Sequence, residues 1–178
     1  MKLSVLIKAF TLFVSVSFSP QVFAEPLHIG DVAPEFTLTD QHSNAISLSQ
    51  YKGQWVVLYF YPKDDTPGCT KEACSFRDNI NHLINQHAVI LGVSIDSLES
   101  HQDFATKFKL PFSLLADKKA TVSRRYGTLL NLGIVKFTKR HTFIIDPSGK
   151  IAKIYRDVDP EKHVQQVLVD LKYLQKGL

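Results

Sequence analysis

The chain is poor in sulfur, with two cysteines and one methionine among its 178 residues, and it has a single tryptophan. In an exported chain, two cysteines read by default as one structural disulfide. Beyond residue 24 no apolar run is long enough to cross a membrane. There is no clustered Lys/Arg stripe, which argues against nucleic-acid binding. Internal repeats, low-complexity tracts and linkers are also missing, so one domain accounts for the length.

The first 24 residues are different in kind. Lys2 and Lys8 open the chain without an acidic residue, Ala9 to Phe18 is mostly apolar, and Val22-Phe23-Ala24 ends on a small side chain. That layout is expected of a cleaved secretory signal, residues 1–24, in a periplasmic or otherwise exported protein. A retained anchor, the alternative, needs about 20 apolar residues. No cysteine follows the cleavage point, which argues against lipid attachment. The domain would then be residues 25–178, and loss of Lys2 and Lys8 lowers the net charge of +4 by two.

Periodicity gives an α/β order. Short strands are expected at Phe36–Thr39 and Ile46–Leu48, and Trp55–Tyr61 (WVVLYFY) and Ala88–Ser94 (AVILGVS) read as buried strands. A helix from Cys69 to Gln86 lies between the last two, so they should form a parallel pair. Helices are expected at Leu98–Phe108, Thr121–Tyr126 and Pro160–Leu174, and a short strand at Ser113–Leu115. Thr142–Asp146 and Ile151–Tyr155, joined by Pro147-Ser148-Gly149-Lys150, read as an antiparallel hairpin. The fold class expected is α/β, thioredoxin-like, with a central mixed β-sheet flanked by helices.

The chemistry gathers where the first buried strand gives way to a helix, the end at which open α/β sheets tend to bind ligands. Pro67 and Gly68 break the chain there, so Cys69 should occupy the first helical turn. Unpaired backbone N–H groups and the positive end of the helix dipole gather at that turn. Helix N-termini and nearby cations lower cysteine pKa values to about 3.5–7.5, and the thiolate is the nucleophile.

Pro62, Thr66 and Cys69 together resemble the Pro-x-x-x-Thr-x-x-Cys signature of peroxiredoxins. Cys74, five residues on, narrows the resemblance to the bacterioferritin comigratory protein, or peroxiredoxin Q, subfamily. Ile29–Phe36, Leu48–Gly53, Leu91–Asp96, Leu110–Asp117 and Arg140–Asp146 are similar to later or flanking blocks of that family. The resemblance implies a thiol-dependent peroxidase with no cofactor and no metal. Cys69 would be the peroxidatic and Cys74 the resolving cysteine. The Thr66 hydroxyl would bond the thiolate and the peroxide, and Arg140 would stabilise developing charge. Pro62 would shield the site and Glu72 would orient the arginine, although Glu72 also suits a first helical turn as a solvated carboxylate. The implied partners are a hydroperoxide and a thioredoxin-like or other dithiol reductant, with no stable membrane association expected after cleavage, and the implied state is a monomer.

On this reading Cys69 becomes a sulfenic acid and then a disulfide with Cys74. Residues five apart on an intact helix differ by about 140° and about 7.5 Å of rise, which puts their Cα atoms roughly 8–9 Å apart. Disulfides need about 4.4–6.8 Å. The helix must therefore unwind on oxidation, and the same argument tells against a static structural bridge.

Two alternatives use the same fold. A thiol–disulfide oxidoreductase normally spaces its cysteines by two residues and faces them with a cis-proline, whereas four residues intervene here and Arg140-His141-Thr142 offers no proline. A Sco-like copper module would use both thiols with His141, but such proteins space their cysteines by three residues. The remaining histidines (His28, His42, His82, His87, His101 and His163) lack ligand spacing and are expected at the surface. The sequence departs from the subfamily at Gly127–Lys139, an apolar stretch that reads as core packing or a contact surface, or as a lining that favours bulky lipid or alkyl hydroperoxides.

Overall fold

Trp55–Phe60 is apolar at every position because it forms a strand buried on both faces, and that strand, β3, organises the molecule. Trp55, Val57, Tyr59 and Tyr61 enter one hydrophobic core, while Val56, Leu58 and Phe60 enter the other. The two-residue alternation of a strand separates the two sets. The computed structural model describes residues 26–177, so the expected signal, residues 1–24, lies outside the described residues.

In chain order the remaining elements are β1 (Thr37–Asp40), β2 (Ala45–Ser47), α1 (Pro67–Asp78), α2 (Ile80–Asn85), β4 (Ala88–Ser94), α3 (Leu98–Phe108), β5 (Ser113–Ala116), α4 (Thr121–Arg125), β6 (Leu129–Asn131), β7 (Lys136–Thr138), β8 (His141–Ile145), β9 (Ile151–Tyr155) and α5 (His163–Leu174). A seven-stranded sheet runs β2-β1-β5-β4-β3-β8-β9. β3 and β4, and β4 and β5, are parallel; β8 lies antiparallel to both β3 and β9. The expected mixed sheet, its parallel centre and its closing hairpin are all present. α1, α3 and α5 contribute to the first core, and α4 contributes Val122 to the second. Gly92 in β4 is a packing requirement, because a Cβ there would stand 2.8 Å from Tyr59 and from Leu114.

Three expectations need correction. The helix from Cys69 to Gln86 is two helices. At Asn79 the backbone leaves helical geometry (φ −106°, ψ 10°), and the Asn79 side-chain amide donates to the Ser75 carbonyl (2.9 Å). An asparagine that bonds local backbone in this way ends a helix. His101 and His163 are buried, not superficial. His163 Nε2 pairs with Thr142 Oγ1 at 2.8 Å, and burial, aided by the Arg140 charge, lowers its pKa to about 4, so the ring is neutral at pH 7. Finally, of the readings of Gly127–Lys139 only core packing fails: the segment contains a separate two-stranded hairpin, β6–β7, whose tip is exposed and contributes nothing to the core.

Candidate active site

β3 ends at Phe60, and the chain needs six residues, Tyr61–Thr66, to reach the start of α1. That loop is held from beneath by one carboxylate. Asp64 Oδ1 accepts from the Tyr61 hydroxyl (2.7 Å); its Oδ2 accepts from the Ser100 hydroxyl (2.7 Å) and lies 2.7 Å from His101 Nδ1. The Asp64 backbone N–H donates to Asp96 Oδ2 at 2.9 Å. Four hydrogen bonds converging on Asp64 fix the loop's position, although His101 Nε2 has no partner. Sequence reasoning missed this cluster. The signal was confined to an aspartate in the motif run and a histidine on the helical stretch Leu98–Phe108, too little to pair them.

Thr66 is the N-cap of α1, Pro67 its first residue, and Cys69 stands in the first turn as expected. The Thr66 side chain makes no capping bond, and its hydroxyl donates to the Lys63 carbonyl at 3.1 Å. The expected donation from Thr66 to the sulfur is therefore not what this structure contains. The hydroxyl is committed as a donor and keeps its lone pairs for a peroxide O–H. With no side-chain cap, the amides of Gly68 and Cys69 have no intrahelical acceptor and face the end where charge on sulfur is solvated.

Cys69 is 2% exposed, Cys74 is half-buried, and both are free thiols. Arg140, just ahead of β8, reaches both sides of the site. Its Nη2 donates to Cys69 Sγ at 3.2 Å, and its Nη1 bonds Glu72 Oε2. Glu72 follows Cys69 by three residues and so shares its helix face. It is completely buried, which removes the alternative of a solvated first-turn carboxylate. A Cβ at residue 68 would stand 3.3 Å from Arg140 Nη2 and 3.7 Å from Pro160 Cγ, so Gly68 is the clearance through which the guanidinium reaches the sulfur. Pro62, half-buried, begins the loop immediately after the Tyr61 carbonyl, which accepts from the Thr138 hydroxyl. The site therefore brings together Cys69, Glu72 and Arg140, with Thr66 and Pro62 in the enclosing loop. Cys74 lies farther along α1 beside Arg77, whose cationic form is favoured by its bond to Asp78 and by the Cys74 sulfur.

The electrostatics of the pair are lopsided. Burial pushes the Glu72 carboxyl up to about 7, although the Arg140 charge pulls the other way, and Glu72 Oε1 has no hydrogen-bond partner. Burial also acts against the Arg140 charge, but Glu72 and Cys69 outweigh it and raise its pKa. A guanidinium stays charged at every accessible pH, so Glu72 is the member that titrates. Its folded pKa exceeds the ordinary 4.5. The neutral form therefore favours the fold, fully below about 4.5, and that stability is lost as pH rises through about 7. Glu72→Gln is neutral at all pH. Going from pH 8 to pH 5, wild type is expected to gain a few kcal/mol relative to Glu72→Gln, since each tenfold change in a protonation equilibrium is worth about 1.4 kcal/mol. Urea unfolding at both pH values checks this, and an unchanged difference refutes it.

His141 lies in β8 opposite Phe60, and burial, with Lys139 and Arg156 nearby, lowers its pKa to about 4. Two cations are a poor setting for a metal ligand. Among the described residues no group of three or more His, Cys, Asp or Glu side chains could hold a metal ion.

Residues 29–154 match the AhpC/TSA family. The chain is 43% identical over 146 residues to a chloroplastic peroxiredoxin Q of Sedum lineare, covering 82% of this chain and 78% of that protein. Among solved structures it is similar to a peroxiredoxin Q of Xylella fastidiosa crystallised as a cysteine-to-serine mutant, with TM-score 0.78 and 33% identity over 84% of this chain and 98% of that one. It is also similar to the bacterioferritin comigratory protein of Xanthomonas campestris, studied for its alkyl peroxide reduction activity, with TM-score 0.73 and 33% identity over 78% and 90%.

Proposed function

Because this chain belongs to the AhpC/TSA family and its relatives are peroxiredoxins, we propose that its thiol-dependent peroxidase activity runs through Cys69 as nucleophile and Cys74 as resolving thiol. The enzyme reduces hydroperoxides, and thioredoxin-like proteins reduce peroxiredoxins in turn. The Sco-like copper reading finds no support among these relatives.

The observation that carries the residue assignment is the Arg140 Nη2 contact of 3.2 Å with a sulfur in the first turn of a helix. The Cys69 thiolate attacks one oxygen of ROOH, the O–O bond breaks, and the leaving RO⁻ takes a proton to become ROH. Cys69 is then a sulfenic acid. Arg140 and the first-turn amides offer donors to the charge as it moves from sulfur to the leaving oxygen, and Thr66 has lone pairs for the peroxide O–H. Cys74 next attacks the sulfenic sulfur, a disulfide forms, and water departs. A dithiol returns both cysteines to thiols.

Cys69 and Cys74 share the unbroken helix α1, so the second step requires unwinding. The N-terminal turns are the cheap ones to open, because Gly68 stands there and no side chain caps them. One equivalent of hydrogen peroxide is expected to remove two hydrogens from the mass of the wild type and to raise amide exchange within α1. Cys74→Ser should instead gain one oxygen and stall after one turnover. An oxidised protein with α1 still protected would sink the disulfide assignment. We also read the chain as an exported monomer: Lys2, Lys8 and the apolar stretch ending at Ala24 support export, and an intrahelical thiol pair needs no second subunit. The same mass measurement on protein from its native cell reports the first residue, expected at Glu25.

A further inference from the structure

The hairpin β6–β7 ends in apolar side chains that touch almost nothing. Leu132 is 62% exposed, Ile134 fully exposed and Val135 52% exposed, three large apolar side chains within four residues. The tip is built, not frayed. Leu129, Leu130 and Asn131 pair with Thr138, Phe137 and Lys136. The turn closes through Leu132 N–H to the Val135 carbonyl (2.9 Å) and Gly133 N–H to Asn131 Oδ1 (3.1 Å), with Gly133 at φ +84°. At its base the Lys139 N–H donates to the Thr128 carbonyl (2.7 Å), and the Thr138 hydroxyl bonds the Tyr61 carbonyl. Tyr61 opens the active-site loop and Arg140 follows Lys139, so the hairpin rises directly from the rim of the site.

Its charge is one-sided. Between Asp117 and Asp146 the sequence has no acidic residue, while Arg124, Arg125, Lys136 and Lys139 are exposed on the hairpin and the helix leading into it. None of these four takes part in the ion pairs among the described residues. By register Lys136 is next to the tip. A projecting apolar tip collared by free cations is the composition that enters the headgroup region of an anionic bilayer. A second copy of the chain is the poorer occupant, since it would bring like charges together and three side chains fall well short of the roughly 800 Å² per partner of a standard interface.

We propose that the β6–β7 hairpin docks this enzyme on anionic membrane surfaces, with Leu132, Ile134 and Val135 inserted and Lys136 and Lys139 at the headgroups, and so presents the site to phospholipid hydroperoxides. The substrate class rests on the peroxidase reading above, whereas the docking does not. The test uses the chain from Glu25, because the family match at residues 29–154 lies within it and the apolar stretch before Glu25 would bind lipid by itself. The probes are vesicles of phosphatidylcholine with about one third phosphatidylglycerol, and vesicles of phosphatidylcholine alone.

The reduced protein is expected to cosediment with the anionic vesicles and to bind the neutral ones at least about tenfold less. Ile134→Asp should lower anionic binding about tenfold or more, as expected for losing one inserted side chain. Lys136→Glu should lower it several-fold, with an effect that fades in high salt. Both variants should keep wild-type turnover of hydrogen peroxide in solution and lose activity, in proportion to binding, on phospholipid hydroperoxide in anionic vesicles. Absent binding, equal binding to both vesicles, or variants that bind like wild type overturn the docking. So does a change in the solution mass of Ile134→Asp, which would make the tip a self-interface, or a defect confined to reduction by a thioredoxin. Hydrogen peroxide turnover is read separately, and its absence in wild type would overturn the peroxidase reading and leave the docking result standing.

Discussion

Cys69→Ser is expected to consume hydroperoxide no faster than buffer, the largest effect of any single substitution in this chain. The reasons lie in what the site can and cannot ionise. An Arg140 donor at 3.2 Å and the uncapped first turn of α1 act on whatever atom occupies the 69 position. A serine hydroxyl is far too weak an acid to be ionised by donors alone, and no base stands ready for it: Glu72 is already bonded to Arg140. Cys74 cannot take over, because it lies more than a turn farther into the helix, away from the first-turn amides and from Arg140. Competition with a fluorogenic peroxide probe, on reduced and alkylation-checked protein, measures the rate. Turnover retained by Cys69→Ser would mean that the reactive sulfur is elsewhere.

Arg140→Met is expected to lower the second-order rate with peroxide by about 10²–10³, the loss typical of removing one donor from a preorganised charge-stabilising site. The methionine keeps part of the side chain's bulk, so packing beside Pro160 and Gly68 suffers less than it would with alanine. Arg140→Lys should recover little. The native guanidinium uses separate nitrogens for Cys69 and Glu72, and a single ammonium cannot reproduce that planar fork. Stopped-flow oxidation of the reduced variants, followed by tryptophan fluorescence or by quench and mass analysis, gives the rate. The Arg140 variants must also be compared at pH 5 and 8, because an unpaired Glu72 would shift its protonation. A fall of less than about threefold would remove Arg140 from the chemistry.

Local chemistry was the legible part of the site. Pro67-Gly68 ahead of Cys69 marks a helix start, and the burial of Trp55–Tyr61 on both faces follows from an unbroken apolar run of strand length. Those signals need only neighbouring residues. The burial of Glu72 was not legible, since a carboxylate in the opening turns of a helix reads as a solvated one until Arg140, 68 residues later, closes over it. The same holds for Asp64 and His101, which are remote in sequence and meet only because α3 packs beneath the β3–α1 loop. The break at Asn79 was locally encoded but hidden by the apolar spacing of Phe76, Ile80, Leu83 and Ile84, which continues across it. Gly127–Lys139 is distinctive only in composition, and composition cannot distinguish side chains that fill a core from those on a projecting tip.

Sequence alone was enough for most of the strands and helices, the helix turn that receives the nucleophile and the five-residue interval to the second thiol, because periodicity, breakers and spacing act over a few residues. Three-dimensional packing alone sets which charges are buried and with whom. Arg140 faces both Cys69 and Glu72, three histidines are buried, the Thr66 hydroxyl turns to Lys63, and the hairpin tip stands clear of the core. Desolvation is a property of the whole enclosure, and no local run of residues records it.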